Sequence, residues 1–261
     1  RRYLFLVPGV TAASGGVAVL YDVASFLTHQ GHTVVVLHEG RGSAYADTPH
    51  RPDTCYTHAL RAVRWRRSSH FGKVRQGLAL LRELAQPRRN PRLELRPDDV
   101  LVVPEFLLDL AQETFPDHSK VIFVQNPFSY VDACGDAIAR GIDPQHAVIH
   151  SIGISRMCMD ALAIAGAHPA SCVPVSPDLG KFEFVANKRR QIAYMPRKRR
   201  REAQVLAEAL RRRGRIADFA LVEIDGMTHD EVARTLGGSL FFVSLMRLEA
   251  LGFPAMEAMS A

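Results

Sequence analysis

The chain has 261 residues, of which 47% are hydrophobic and 23% charged, with 18 Gly and 15 Pro. That is enough for one large globular unit or two domains of ~130 residues, and it excludes disorder, collagen-like repetition and a small disulfide scaffold. The formal charge of +6 is unevenly spread: residues 41–97 carry 13 Lys and Arg against 4 acids, and residues 188–215 carry 12 against 2. Two local anion-facing surfaces are one reading; solvated arginines are the other.

Arg1-Arg2 and the apolar run Tyr3–Val7 have the outline of a secretory leader, but Pro8-Gly9 stops the run and an amphipathic helix follows at once. Tyr3–Val7 reads instead as a buried parallel strand. Ser14-Gly15-Gly16 opens a helix in which Val17, Leu20, Ala24 and Leu27 recur at helical spacing, and Gly31 ends it. Thr33–Leu37 is the next strand. Glycines at a helix N-terminus leave backbone N–H groups open to an anion, with no Cβ in the way. A plain tight connection explains them equally well. GxGxxG is absent, so the dinucleotide fingerprint is not met.

Residues 41–97 lack strand patterning and are expected to hold two helices. Over Phe71–Ala85, residues Phe71, Val74, Leu78, Leu81 and Leu84 form an apolar stripe, with Lys73, Arg75 and Arg82 off it. Such a stripe packs on a core more often than it lies on an anionic membrane surface. Strands resume at Val100–Val103, Val121–Val124 and Ala147–Ile152, separated by helical stretches, which predicts a doubly wound α/β domain to about residue 175. Ligands bind such sheets beyond the carboxyl ends of the strands. Pro104-Glu105 and Gln125-Asn126-Pro127 are therefore candidate pocket residues, with ordinary turn chemistry as the alternative for Asn-Pro.

Val173–Gly180 is punctuated by Pro and Gly, and 176–188 reads as a linker between a domain over 1–175 and one over 189–261. In the second, Gln191–Tyr194 is a strand and Arg200–Arg213 a helix with Val205, Leu206, Ala209 and Leu210 inward. Phe219–Ile224 is a strand, Thr228–Glu231 fits a capping box, Gly237 ends that helix, and Leu240–Leu245 is a third strand. Met259-Ser260-Ala261 comes partway through a helix without a stop signal, and the chain does not begin with Met. A piece of a longer chain, its second domain incomplete, is expected. Two Rossmann-like halves joined by a hinge imply a cleft.

Four cysteines, Cys55, Cys134, Cys158 and Cys172, show no CxxC spacing and read as buried thiols in a reducing compartment. The eleven histidines include no HExxH motif, so a metal centre is not expected. No stretch reaches the ~18 apolar residues that span a bilayer.

The most informative stretch runs from Arg247 to Met259. Pro254 suits the first turn of a helix. Glu249 and Glu257 are separated by seven residues, the first in a strand-to-helix loop and the second on the helix. One carboxylate could face a sugar while the other accepts hydroxyl hydrogen bonds, with the helix N-terminus available for phosphate. This stretch resembles the E-x7-E motif of retaining glycosyltransferases of family 4, which have the GT-B fold. Glu249, Gly252, Pro254, Glu257, Ala258 and Met259 match; Ala250 replaces a usual Gly, and Leu251 and Phe253 exchange the usual Phe and Leu.

Further segments agree with the resemblance. Gly15-Gly16 and Gly31-His32-Thr33-Val34 look like the family's GG…GHxV pattern, and Asp178 and Phe182 like its interdomain Asp…F. Arg197 and Lys198 stand, at altered spacing, where the family has an Arg and a Lys that bind the donor diphosphate. The arrangement is similar to a bacterial subgroup that includes rhamnosyltransferases of surface polysaccharides; there a basic residue before the first Glu also holds the donor, which nominates Arg247. The resemblance implies a GT-B enzyme with two Rossmann-like domains facing a cleft. It implies transfer of a hexose or deoxyhexose from a nucleotide-sugar to a glycan or lipid-linked acceptor, without cofactor or metal, by front-face substitution. Glu249 would orient the donor sugar, Glu257 would hold the ribose, and Arg197, Lys198, Arg247 and Gly252 would bind the donor. Gln125 or Asn126 occupies the place of a sugar-contacting histidine, and Gly15, Gly16 and Asn126 form the acceptor and phosphate loop. A cytoplasmic location with peripheral contact to an anionic membrane follows from the same resemblance and the basic stripe.

A developing negative charge on a nucleotide-diphosphate leaving group is stabilised by arginines and helix N-termini. The DxD of metal-dependent transferases is missing; Glu223-Ile224-Asp225 is the nearest approach. Three other readings compete. A nucleic-acid-binding protein would use Arg61–Arg67 and Lys188–Arg201, but no motif or aromatic interleaving supports it. An NAD-dependent oxidoreductase lacks its fingerprint. A catalytically idle module of the same fold is the third.

Overall fold

The computed structural model describes residues 1–8, 15–40, 52–84, 91–177, 179–196 and 199–261. The chain divides into two compact units, Arg1–Pro174 and Val175–Ala261.

The first unit is a parallel sheet covered by helices. Its strands are β1 (Arg2–Val7), β2 (Thr33–His38), β3 (Asp53–Tyr56), β4 (Val100–Pro104), β5 (Ser119–Val124), β6 (Val148–Gly153) and β7 (Ala170–Cys172). Its helices are α1 (Gly15–His29), α2 (Ala59–Arg67), α3 (His70–Leu84), α4 (Leu108–Thr114), α5 (Pro127–Ala139) and α6 (Arg156–Ile164). Among the described residues the strand order is β3-β2-β1-β4-β5-β6-β7. The chain leaves β1 for β2 and β3, then returns to place β4 on the other side of β1. That reversal is the topological switch point, where ligands of such sheets bind. Leu4 to Val7, Val34 to Leu37, Leu101 to Val103 and Ile122 to Val124 are buried. Full burial of each such side chain contributes about 1.5–3 kcal/mol, which is why these continuous apolar runs lie in the centre of the sheet.

Two expectations for this unit are corrected. The span 41–97 does hold a strand: β3 pairs in parallel with β2, from Val35↔Asp53 to His38↔Tyr56. It lacks apolar patterning because it is an edge strand with only Cys55 buried. The α3 stripe does not pack on the core either. Val74, Leu78 and Leu81 are 53%, 54% and 63% exposed; the side chains of Phe71, Arg75, Arg82 and Leu84 lie outside the described residues. The basic α2, by contrast, buries Leu60 and Val63 and is further held by ion pairs, Arg64 to Glu39 at 2.9 Å and Arg67 to Asp109 and Glu113 at 2.5 and 2.6 Å.

The second unit contains β8 (Arg189–Tyr194), α7 (Arg200–Arg212), β9 (Ala220–Glu223), α8 (His229–Gly237), β10 (Ser239–Val243) and α9 (Phe253–Ser260). Its strands pair in parallel in the order β10-β8-β9. Phe182, Ala193, Ile224, Val232, Leu236 and Ala261 form its core, with Ala258 of α9 against it. Phe182, from the segment read as a linker, is thus a core residue of this unit. The core lies on the α8–α9 side, which corrects the expected inward face of α7. Ala203 is its buried residue, whereas Val205 and Leu206 are exposed. Cys55, Cys134 and Cys158 are buried, but Cys172, on edge strand β7, is exposed, contrary to expectation.

Candidate functional site

In the first unit the carboxyl edge of the sheet brings three chain segments together. Glu105 follows β4 directly, in a short 3-10 turn, and is 3% exposed. Its Oε2 accepts the backbone N–H of Gln125 at 3.1 Å, at the end of β5. The Gln125 side chain then donates from Nε2 to the carbonyl oxygen of Gly16 at 2.9 Å, on the first turn of α1. The ends of β4 and β5 and the start of α1 are thereby tied at the switch point. Burial pushes the Glu105 carboxyl up to about 7, against the opposing pull of the backbone N–H groups of Gln125, Glu105 and Asn126. A Cβ on Gly16 would meet the Gln125 amide at 3.5 Å, an ordinary contact, so space does not require glycine there.

Asn126 is the N-cap of α5: Oδ1 accepts from Phe128 N at 3.0 Å and Ser129 N at 3.2 Å, with Pro127 at the first helical position. Helix-start chemistry therefore accounts for Asn126-Pro127. Gly15 is exposed at the first turn of α1. The segment before it, including Ser14, lies outside the described residues.

In the second unit the carboxyl ends of β9 and β10 lead into α8 and α9. Thr228 and Glu231 form the expected capping box of α8. Gly252 precedes α9 with φ 65°, ψ 61°, the left-handed region, and Pro254 sits in the helix's first turn. A Cβ there would lie 2.5 Å from Met246 Cε, so this loop needs glycine for its backbone angle and for room. Leu248 also has a positive φ of 55°. Glu249, between these two, is half-buried in the loop.

Glu257, on α9, is 8% exposed. Its Oε1 lies 3.7 Å from Nε2 of His229, the first residue of α8. Burial raises the Glu257 carboxyl above the usual range, and the neighbouring imidazole draws it back down. The His229 ring stands edge-on to Phe182 at 5.2 Å. Arg247 is exposed; the carboxyl of Glu202, on the first turn of α7, is held below its usual range by its own backbone N–H and by Arg199 at 3.1 Å, with a lesser pull from Arg247. Arg197, Lys198 and Asp178 lie outside the described residues.

Sequence reading missed two residues here. Arg200 pairs with Glu223 at 2.7 Å and with Asp225, and Tyr194 donates to Glu223 at 3.1 Å; the two acids nearest to a DxD are thus occupied by a cation. His229 was legible only as part of a capping box, because its partner Glu257 is far along the chain. His146 and His150 stand four apart, a spacing that suits metal ligands on a helix. The segment is turn and strand, however, and His150 bonds Ser171 at 3.0 Å. Among the described residues no three His, Cys, Asp or Glu side chains group as metal ligands, and no helix is long and apolar enough to cross a membrane.

No protein-family model matches the chain, and no curated protein matches it in sequence. Solved structures do. HepE (Alr3699) of Anabaena in complex with UDP and glucose superposes with a TM-score of 0.58 at 12% identity, over 99% of this chain and 78% of that one. HepE in complex with UDP gives a TM-score of 0.55 at 12% identity, over 100% of this chain and 78% of that one. At this identity the likeness establishes the fold alone, a Rossmann-like α/β fold built on parallel sheets.

Proposed function

We propose that the protein transfers a sugar from a nucleotide-diphosphate donor to a glycan or lipid-linked acceptor, with retention of configuration and without metal. The second unit takes the donor. Glu257 accepts hydroxyl hydrogen bonds from the ribose, Glu249 orients the sugar, and Arg197, Lys198 and Arg247 with the N-termini of α7 and α9 balance the diphosphate charge. The first unit takes the acceptor at its switch point, lined by Gly15, Gly16, Glu105, Gln125 and Asn126. The departing phosphate assists the acceptor hydroxyl on the same face, so Glu249 acts without forming a covalent intermediate.

The observation that carries this reading is the left-handed turn at Gly252, which sets a helix N-terminus and the buried Glu257 behind the loop holding Glu249. A fold shared with a protein crystallised with UDP and glucose supports it. The exposed α3 face supports an anionic membrane surface as a further contact: Val74, Leu78, Leu81 and Trp65 line an open groove of about 420 Å³ together with Lys73.

Thermal unfolding with nucleoside diphosphates tests the donor assignment. UDP, GDP or ADP should raise the unfolding temperature in the presence of EDTA, and Arg197→Ala should abolish the rise. An unchanged response in that variant overturns the diphosphate assignment, and a response that needs a divalent cation overturns action without metal.

A further inference from the structure

We propose that His229 is a positioning residue of the donor site, whose imidazole ring orients the Glu257 carboxylate for the hydroxyls of a nucleotide ribose. This rests on the reading of Glu257 as the ribose acceptor and adds to it the group that makes the role workable. A buried carboxylate without a partner is strongly disfavoured in its charged form, and Glu257 is 8% exposed. Its acceptor strength toward two hydroxyls depends on that charge being kept. His229, on a different helix, sets its Nε2 3.7 Å from Glu257 Oε1 and is the polar side chain facing that carboxylate.

The imidazole is held from two directions. The capping box of Thr228 and Glu231 fixes the backbone at the helix start. Phe182, buried in the core, meets the ring edge-on. The neighbouring Asp230 is engaged elsewhere, with Lys181 at 3.1 Å, so it does not draw the imidazole away. The His229 side chain is 45% exposed while that of Glu257 is 11% exposed. The pair therefore straddles the boundary between core and solvent, at the carboxyl edge of the sheet where nucleotides approach.

Calorimetric titration of the intact protein with UDP, GDP and ADP, and with the 2′,3′-dideoxy form of the best binder, tests the proposal. Wild type should prefer the ribonucleotide. His229→Gln should weaken the ribonucleotide about tenfold, the scale of one charge-assisted hydrogen bond, and leave the dideoxy form nearly unchanged. His229→Lys, which puts an N–H donor back beside Glu257, should recover most of the preference. An intact preference in His229→Gln, an equal loss for both nucleotides, or no recovery with lysine overturns the role of His229 while leaving the donor site standing. If wild type binds no nucleoside diphosphate at all, the donor reading fails and this inference falls with it.

Discussion

Replacing Gly252 with alanine isolates what the left-handed turn before α9 contributes. At φ 65° a Cβ crowds the following carbonyl, which costs about 1–2 kcal/mol for an L-residue. The added atom also meets Met246 Cε at 2.5 Å. Because that atom is the end of a flexible side chain, it moves aside for about 0.5–1.5 kcal/mol of rotamer strain. Together the loss should be about 2 kcal/mol in the unit Val175–Ala261. For a domain of roughly this size each kcal/mol lowers the unfolding temperature by about 4–8 °C. Thermal unfolding followed by circular dichroism measures the loss. The double variant Met246→Ala with Gly252→Ala separates the two causes, since against Met246→Ala alone only the backbone strain remains. Gly252→Asn should lose less backbone energy than alanine, because asparagine tolerates this region. An alanine variant that unfolds at the wild-type temperature would refute the claim that the loop geometry demands glycine.

Two further outcomes follow. The Glu105 carboxyl is raised by burial from 4.5 to about 7, so the folded protein holds that proton more tightly than the unfolded chain does. The associated stability is complete below about pH 4.5 and is lost as pH rises through about 7. Glu105→Gln stays neutral, so the stability of wild type relative to this variant should fall by roughly 2–3 kcal/mol from about pH 5 to about pH 8. Urea unfolding measures this, and a difference that does not change with pH contradicts burial as the cause. Glutamates at Leu78 and Leu81 together should abolish sedimentation with anionic phospholipid vesicles and leave the unfolding temperature unchanged, because both side chains are more than half exposed. Undiminished sedimentation removes the membrane contact; a large drop in unfolding temperature shows that the stripe is packed after all.

Much of the fold was legible wherever a local rule acted alone. Tyr3–Val7 and Val100–Val103 are unbroken apolar runs, and a run buried on both faces of a parallel sheet needs no tertiary context to be recognised. The capping box at Thr228 and the proline start of α9 are equally local, since each satisfies backbone groups within one turn. Edge strand β3 was not legible. Its four residues are stabilised by backbone bonds to β2 and bury only Cys55, so they leave no hydrophobic signal. The α3 and α7 stripes show the opposite failure. Helical periodicity reports that one face differs from the other and says nothing about what that face meets.

The sequence by itself determined the central buried strands with the helices between them, the glycine and proline that punctuate the turn into α9, and the spacing of Glu249 and Glu257. Tertiary structure alone decided the partnerships. Glu105 is tied to Gln125, and Gln125 to Gly16, across two strand ends and the start of α1; Glu257 meets His229 from another helix; Arg200 occupies Glu223 and Asp225. The reason is electrostatic: a carboxylate's charge state and reach depend on burial and on neighbours distant in the chain, which residue spacing does not encode.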